Sequence, residues 1–446
     1  MLRITSKWIR ALGALGLAAA IVLMAGCGGG GSSSASEGSS SNSSSSTGGT
    51  TTTGSTSGTG GATNTGGNGG ATLAANQAAI TVSSGLTGGA PNMPMVSVTV
   101  CVPGTTACQT IDNIQLDTGS FGLRLVNSAA SAFLGSLPKE TIGGLPVAEC
   151  AGFADGFSWG YVHLADVKMG GETAPRIPVQ VLGELPQSAS PGGFGNNCAT
   201  GTLNNTPTQL AANGILGVGT ARYDCGSACV ATVANGVYYS CPSTTSCNNS
   251  LMPLSGQVSN PVDSFAADNN GISIAMPGIG ALGATSATGS ITFGIGTQTN
   301  NALPTTGVGR YTTDHYGNVQ SATLGGSGGL TAFFDTGSNG LFFVDGAIPQ
   351  CASGFFCPTS TVQRVATVTG FNGSTGTLTL SIANSQSLFN ANNGNNYAYN
   401  DLAGTISTIS DLDLGMPFFY GRTVYIGYDS LPSGNQGVAS TAYVAF

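Results

Sequence analysis

The chain has 446 residues, of which only 11 are Lys or Arg, 19 are Asp or Glu and 71 are Gly, with a formal net charge of −8. That balance argues against a nucleic-acid partner, which would need a basic face to meet phosphates. With two histidines in all, there is little material for a Ser-His or Cys-His nucleophile or for a His-ligated metal.

The first 27 residues begin with a basic flank (Arg3, Lys7, Arg10), run apolar from Ala11 to Met24 and end in Ala-Gly-Cys at Cys27. A short apolar run with this flank and small residues before the cut reads as an export signal rather than a retained membrane helix. The ending resembles a bacterial lipobox, which places lipidation at Cys27; ordinary signal cleavage is the alternative. Gly28 does not provide the Asp that commonly retains lipoproteins in the inner membrane. The expected location is therefore the outer membrane, facing the periplasm or the cell surface, with the lipid anchor as the membrane contact. Residues 28–72 are almost wholly Gly, Ser, Thr and Asn, which cannot bury enough apolar area to offset the entropy of ordering. They read as a tether with an r.m.s. reach of roughly 35–40 Å.

The remaining ~370 residues suit two lobes, an N-terminal β lobe over 73–255 and a C-terminal β lobe over 256–446, with the boundary near Leu254 to Pro261. Runs of Val, Ile, Thr and Phe broken by Gly and Asn predict strands, and no long segment of helical period stands out. Ten cysteines follow Cys27. An even count in an exported chain predicts disulfides. Cys101 with Cys108 and Cys351 with Cys357 read as local staples, and Cys150 with Cys198 follows by elimination. Cys225, Cys229, Cys241 and Cys247 leave three pairings open. Zinc at that quartet is disfavoured by its irregular spacing, and no metal or cofactor is expected.

The feature that bears on chemistry is a repeat. Ile114 to Leu125 reads IQLDTGSFGLRL and Ala332 to Phe343 reads AFFDTGSNGLFF. In each, an apolar strand-like run delivers Asp-Thr-Gly-Ser, and Gly followed by another apolar run carries the chain away. A single Asp-Thr-Gly is a common turn, but two copies in the same setting suggest a duplicated half-site. Two carboxylates brought close cannot both ionise, so one keeps a proton and the pair can act as base and acid on one water. Elsewhere, Gly278 to Gly283 (GIGALG) matches a dinucleotide glycine pattern without a following helix or βαβ unit, and reads as a loop.

Further segments fit the same frame. Asn213 to Gly219 (NGILGVG), Gly289 to Gly296 (GSITFGIG) and Leu412 to Phe419 (LDLGMPFF), continuing to Asp429, occur in the order found in pepsin-like aspartic peptidases. The chain resembles that family from about Thr99 to Asp429. The resemblance implies an all-β, two-lobed pepsin-like fold with the active-site cleft between the lobes. It implies an aspartic endopeptidase, monomeric, acting on a peptide or protein substrate, with Asp117 and Asp335 as the catalytic pair. It further implies that Thr118 and Thr336 bond across the pair to the opposite loop, that Gly119 and Gly337 permit the tight turn, and that Ser120 and Ser338 bond the outer carboxylate oxygens. The family's flap hairpin would correspond to Phe153, Asp155, Gly156 and the residues up to Gly160, with Phe153 where the family carries a tyrosine. Trp159 or Tyr161 could compensate for the missing phenol. His163 and His315 read as surface or packing residues. The alternative function is a pepsin-fold binding or assembly lipoprotein with little or no turnover.

Overall fold

Strands dominate because β-branched and aromatic residues alternate with Gly, Ser and Thr, which favours a pleated, half-buried surface. In the strand Gln77–Ser83, for example, Ile80 and Val82 point inward while Ala79 and Thr81 face out. The computed structural model describes residues 73–154, 156–189, 201–406, 411–429 and 441–446. The export signal with Cys27, the 28–72 tether, Asp155 and Cys198 lie outside the described residues. Helices are confined to single turns; the longest α-helix among the described residues, Ser385–Asn390, has six residues.

The two halves repeat one motif. In the first, Cys108–Asp117 runs parallel to Gly214–Val218, with Leu116 beside Leu216 and Asp117 beside Gly217. Gly214–Val218 is in turn antiparallel to Phe121–Val126, the strand that leaves the Asp117 loop. In the second, Ala332–Asp335 runs parallel to Leu412–Gly415, with Phe334 beside Leu414 and Asp335 beside Gly415. Leu412–Gly415 is antiparallel to Leu341–Phe342, the strand that leaves the Asp335 loop. Each Asp therefore ends a buried central strand and is braced by a second strand from far along the chain. The fold is all-β and two-lobed, with these loops facing each other between the lobes.

A continuous sheet joins the halves. Gln77–Ser83 pairs with Met93–Cys101 on one side and with Ala287–Phe293 on the other. The latter continues through Gly271–Ala275 and Thr423–Gly427 to Tyr443–Ala445 and Arg310–Thr312. The Gly289 segment thus lies in the joining sheet. The main core runs through both halves, from Ile80, Val98 and Leu123 to Phe334, Leu414 and Phe419. Gly278 to Gly283 is a loop between two of the joining strands, with Leu282 exposed.

Disulfides staple short loops. Cys101–Cys108 closes the hairpin that leads to Asp117, and Cys351–Cys357 closes a loop of the second half. Within the open quartet the pairs are Cys225–Cys229 and Cys241–Cys247. Cys150 is also disulfide-bonded. Among the described residues, no group of three or more His, Cys, Asp or Glu is placed to hold a metal ion.

Candidate functional site

Thr118 and Thr336 clasp the two loops. The Thr118 hydroxyl donates to the Phe334 carbonyl and the Thr336 hydroxyl to the Leu116 carbonyl, both at 2.7 Å. Each hydroxyl oxygen also accepts from the opposite backbone: Thr118 N–H to Thr336 Oγ1 at 3.1 Å, and Thr336 N–H to Thr118 Oγ1 at 2.9 Å. These four bonds are buried, so they satisfy groups that would otherwise be costly to desolvate, and they fix the loops' separation.

The glycines decide how close the carboxylates come. A Cβ on Gly119 would sit 2.6 Å from the Asp335 carboxyl carbon, and one on Gly337 would sit 2.7 Å from Asp117 Oδ1. Each carboxylate thus packs on the bare backbone of the other loop, a contact that glycine alone permits. The loop amides then turn back onto their own acids: Gly119 N–H donates to Asp117 Oδ1 at 2.8 Å and Gly337 N–H to Asp335 Oδ1 at 2.7 Å. The outer oxygens take serine hydroxyls, Ser120 to Asp117 Oδ2 at 2.5 Å and Ser338 to Asp335 Oδ2 at 2.9 Å. Gln115 adds a further tie, its side-chain amide donating to the Gly337 carbonyl at 2.9 Å.

The electrostatics follow from this packing. Asp117 and Asp335 are 7% and 9% exposed, so a water can reach them although most of their solvation is gone. Burial first, then the Asp117 charge and then Asp413, push the Asp335 pKa well above the usual carboxylate range. Close acids of this kind hold one proton between them. The pair can therefore accept a proton at one oxygen and donate one from another.

The hairpin of Leu145–Gly152 and Gly156–Met169 turns at Phe153, whose N–H donates to the Gly156 carbonyl. The Phe153 ring lies 5.7 Å from the Arg124 guanidinium, on the strand leaving the Asp117 loop. Neither expected substitute provides a phenol or indole in its place. Trp159 is fully buried, edge-on to Tyr239, and Tyr161 is buried with Lys139 over its ring. Both side chains are committed to packing because they alternate inward along a strand covered on both faces. The histidines are packing residues and not surface ones: His163 bonds the Leu137 carbonyl and Glu184, and His315 Nδ1 lies 3.0 Å from Asp429.

Two features escape the motif reading. Arg124 is buried and meets Glu149 at 2.5 Å and Asp224 at 3.2 Å, while Tyr238 donates to Asp224. Burial, then the Glu149 charge, push Asp224 well above the usual carboxylate range. Asp413 is fully buried beside the candidate pair. A charged residue inside an otherwise apolar run, as in LRLV and LDLG, is the signal that could have marked both.

The model of one family, described as a protein of unknown function (DUF3443), matches residues 72–446. The chain belongs to that family. Among curated proteins, none matches. Solved structures similar to this DUF3443 chain include the aspartic proteinase from Irpex lacteus, at 15% identity and a TM-score of 0.42 over 83% of this chain and 96% of that one.

Proposed function

We propose that this DUF3443 protein is an aspartic-type endopeptidase. The observation that carries the reading is the reciprocal packing of two Asp-Thr-Gly-Ser loops, each carboxylate lying on the glycine of the other. In this reading a water sits between Asp117 and Asp335. The ionised carboxylate takes a proton from the water as its oxygen attacks the peptide carbonyl carbon. The protonated carboxyl gives its proton to the carbonyl oxygen. The tetrahedral gem-diol then collapses: one hydroxyl gives its proton to the carboxylate that had protonated the carbonyl oxygen, and the carboxyl that took the water's proton passes it to the departing nitrogen. The peptide bond breaks with water consumed and no covalent intermediate. Thr118, Thr336, Gly119, Gly337, Ser120 and Ser338 hold the carboxylates in this geometry, which is the preorganisation such a mechanism requires.

Export and lipidation at Cys27 belong to the same proposal, supported by the stapled disulfides, which persist in oxidising compartments. A second reading, a pepsin-fold binding protein, is favoured by the missing phenol at the hairpin tip. Incubating the mature chain with a peptide library across acid pH separates the two. Cleavage that a statine-type peptide blocks supports the peptidase, since its tetrahedral hydroxyl mimics the transition state. Peptide capture with no cleavage at any pH supports the binder.

A further inference from the structure

The two halves of the site differ at one buried position. By the strand registers, Gly217 stands beside Asp117 as Gly415 stands beside Asp335. Two residues earlier the first half carries Ile215 and the second carries Asp413. Ser120 bonds Asp117. Ser338 bonds both Asp335 Oδ2 at 2.9 Å and Asp413 Oδ2 at 2.6 Å. Asp413 is 0% exposed, and its other oxygen, Oδ1, has no hydrogen-bond partner among the described residues. The fold does not require an acid there, because its repeat manages with isoleucine.

A serine hydroxyl has one proton and cannot donate to two carboxylates at once. If Asp413 were ionised, it would take that proton over the shorter contact and leave Asp335 Oδ2 without a donor. If Asp413 is a neutral acid, its Oδ2–H donates to Ser338 Oγ, and the serine proton is left for Asp335. An unpaired Oδ1 suits the carbonyl of a neutral acid far better than half of a buried carboxylate. The surroundings agree. Among the described residues, Asp335 and Asp117 are the titratable groups that act on Asp413, both acidic. Otherwise the paired strands Ala332–Asp335 and Leu341–Phe342 and the helix Met416–Phe419 bring only apolar side chains. Burial, and then the Asp117 charge, raise the Asp413 pKa well above the usual carboxylate range against the Ser338 bond.

We propose that Asp413 is a positioning residue of the candidate site: held neutral, it donates to Ser338 Oγ and so aims the Ser338 hydroxyl at the outer oxygen of Asp335. The inference rests on the reading of Asp117 and Asp335 as a proton-sharing pair. It makes the second half of that pair a three-member chain, Asp413 to Ser338 to Asp335, where the first half has two members.

Carboxyl-carbon NMR titration of the disulfide-intact mature chain tests this without needing turnover. A resonance lost in Asp413→Asn should stay in the protonated position in wild type from acid to about pH 7, where exposed carboxylates are ionised. Asp413→Asn, whose amide can still donate to Ser338, should leave the lower apparent pKa of the pair in place. Asp413→Leu should raise it by about one pH unit, because ionised Asp335 loses an oriented donor. Ser338→Ala removes the donor itself and should raise the pair at least as much whatever the state of Asp413, so where Asp413→Leu does not fold the wild-type Asp413 resonance decides. In turnover, kcat should fall about tenfold in Asp413→Leu, the loss of one such bond in the transition state, and recover in Asp413→Asn. An Asp413 resonance that titrates with the exposed acids would overturn the proposal. So would a pair titration unmoved by a folded Asp413→Leu. If wild type cleaves no peptide while the titrations behave as expected, the peptidase reading fails and the wiring stands.

Discussion

At the scale of single residues, the site depends on what is missing as much as on what is present. Gly119 and Gly337 matter because their hydrogens are all that separates each carboxylate from the opposite backbone. Gly119→Ala would place a methyl group 2.6 Å from the Asp335 carboxyl carbon. The contact is to a carboxylate held by its own loop amide, so it cannot be relieved by rotating a free side chain. We expect kcat to fall at least about a hundredfold, in line with small displacements of reacting groups, while far-UV circular dichroism stays that of the wild type. Near wild-type kcat would show that the carboxylates do not need this approach. Thr336 also bears on stability. Its oxygen accepts from Thr118 N–H and its proton goes to the Leu116 carbonyl, so Thr336→Val leaves two buried backbone groups unpaired. A loss of about 1–3 kcal/mol in urea unfolding is expected. No loss would mean that the clasp is dispensable.

At the scale of elements, much of the frame could be read from the sequence. The tetrads could be located because each lies between two apolar runs, and the structure brings them together through the clasp expected of Thr118 and Thr336. The segments NGILGVG and LDLGMPFF supplied the bracing strands. What could not be read was partnership between distant side chains. Cysteine spacing cannot choose among three pairings, because the choice depends on which loops fold back. Whether Tyr161 points at a cleft or into a core depends on strand coverage, which its neighbours in sequence do not encode. Asp413 sat in plain view inside LDLG, but its meaning depends on Ser338, 75 residues earlier. The hairpin near Phe153 yields its own test. The ring rests near Arg124, and Phe153→Tyr adds a hydroxyl that can bond a polar group at the hairpin tip. We expect peptide turnover by Phe153→Tyr to equal or exceed that of wild type. A clear fall would show that the apolar ring itself is needed there.

At the scale of the whole molecule, the buried acids set the pH at which the fold is most secure. Asp224, Asp335 and Asp413 all have pKa values raised chiefly by burial. The folded chain therefore holds protons that the unfolded chain releases. A raised carboxyl contributes fully below its unfolded pKa, near 4, and that contribution drains away as pH rises toward the folded value. Stability in urea should accordingly be greatest in acid and decline from about pH 4 toward neutrality; a steady rise over that interval would contradict the assignment. Asp224→Asn should flatten the decline, because an amide cannot ionise beside Glu149. The central claim is that Asp117 and Asp335 act as one unit on water, and single substitutions test it most directly. Peptide hydrolysis at acid pH should be measured for wild type, Asp117→Asn, Asp335→Asn and the double variant, all folded and disulfide-intact. Each single change should remove nearly all turnover, and the double should be no worse than either, as groups that act together are non-additive. Turnover that survives either single substitution, or peptide capture that survives both with no cleavage in wild type, would contradict it.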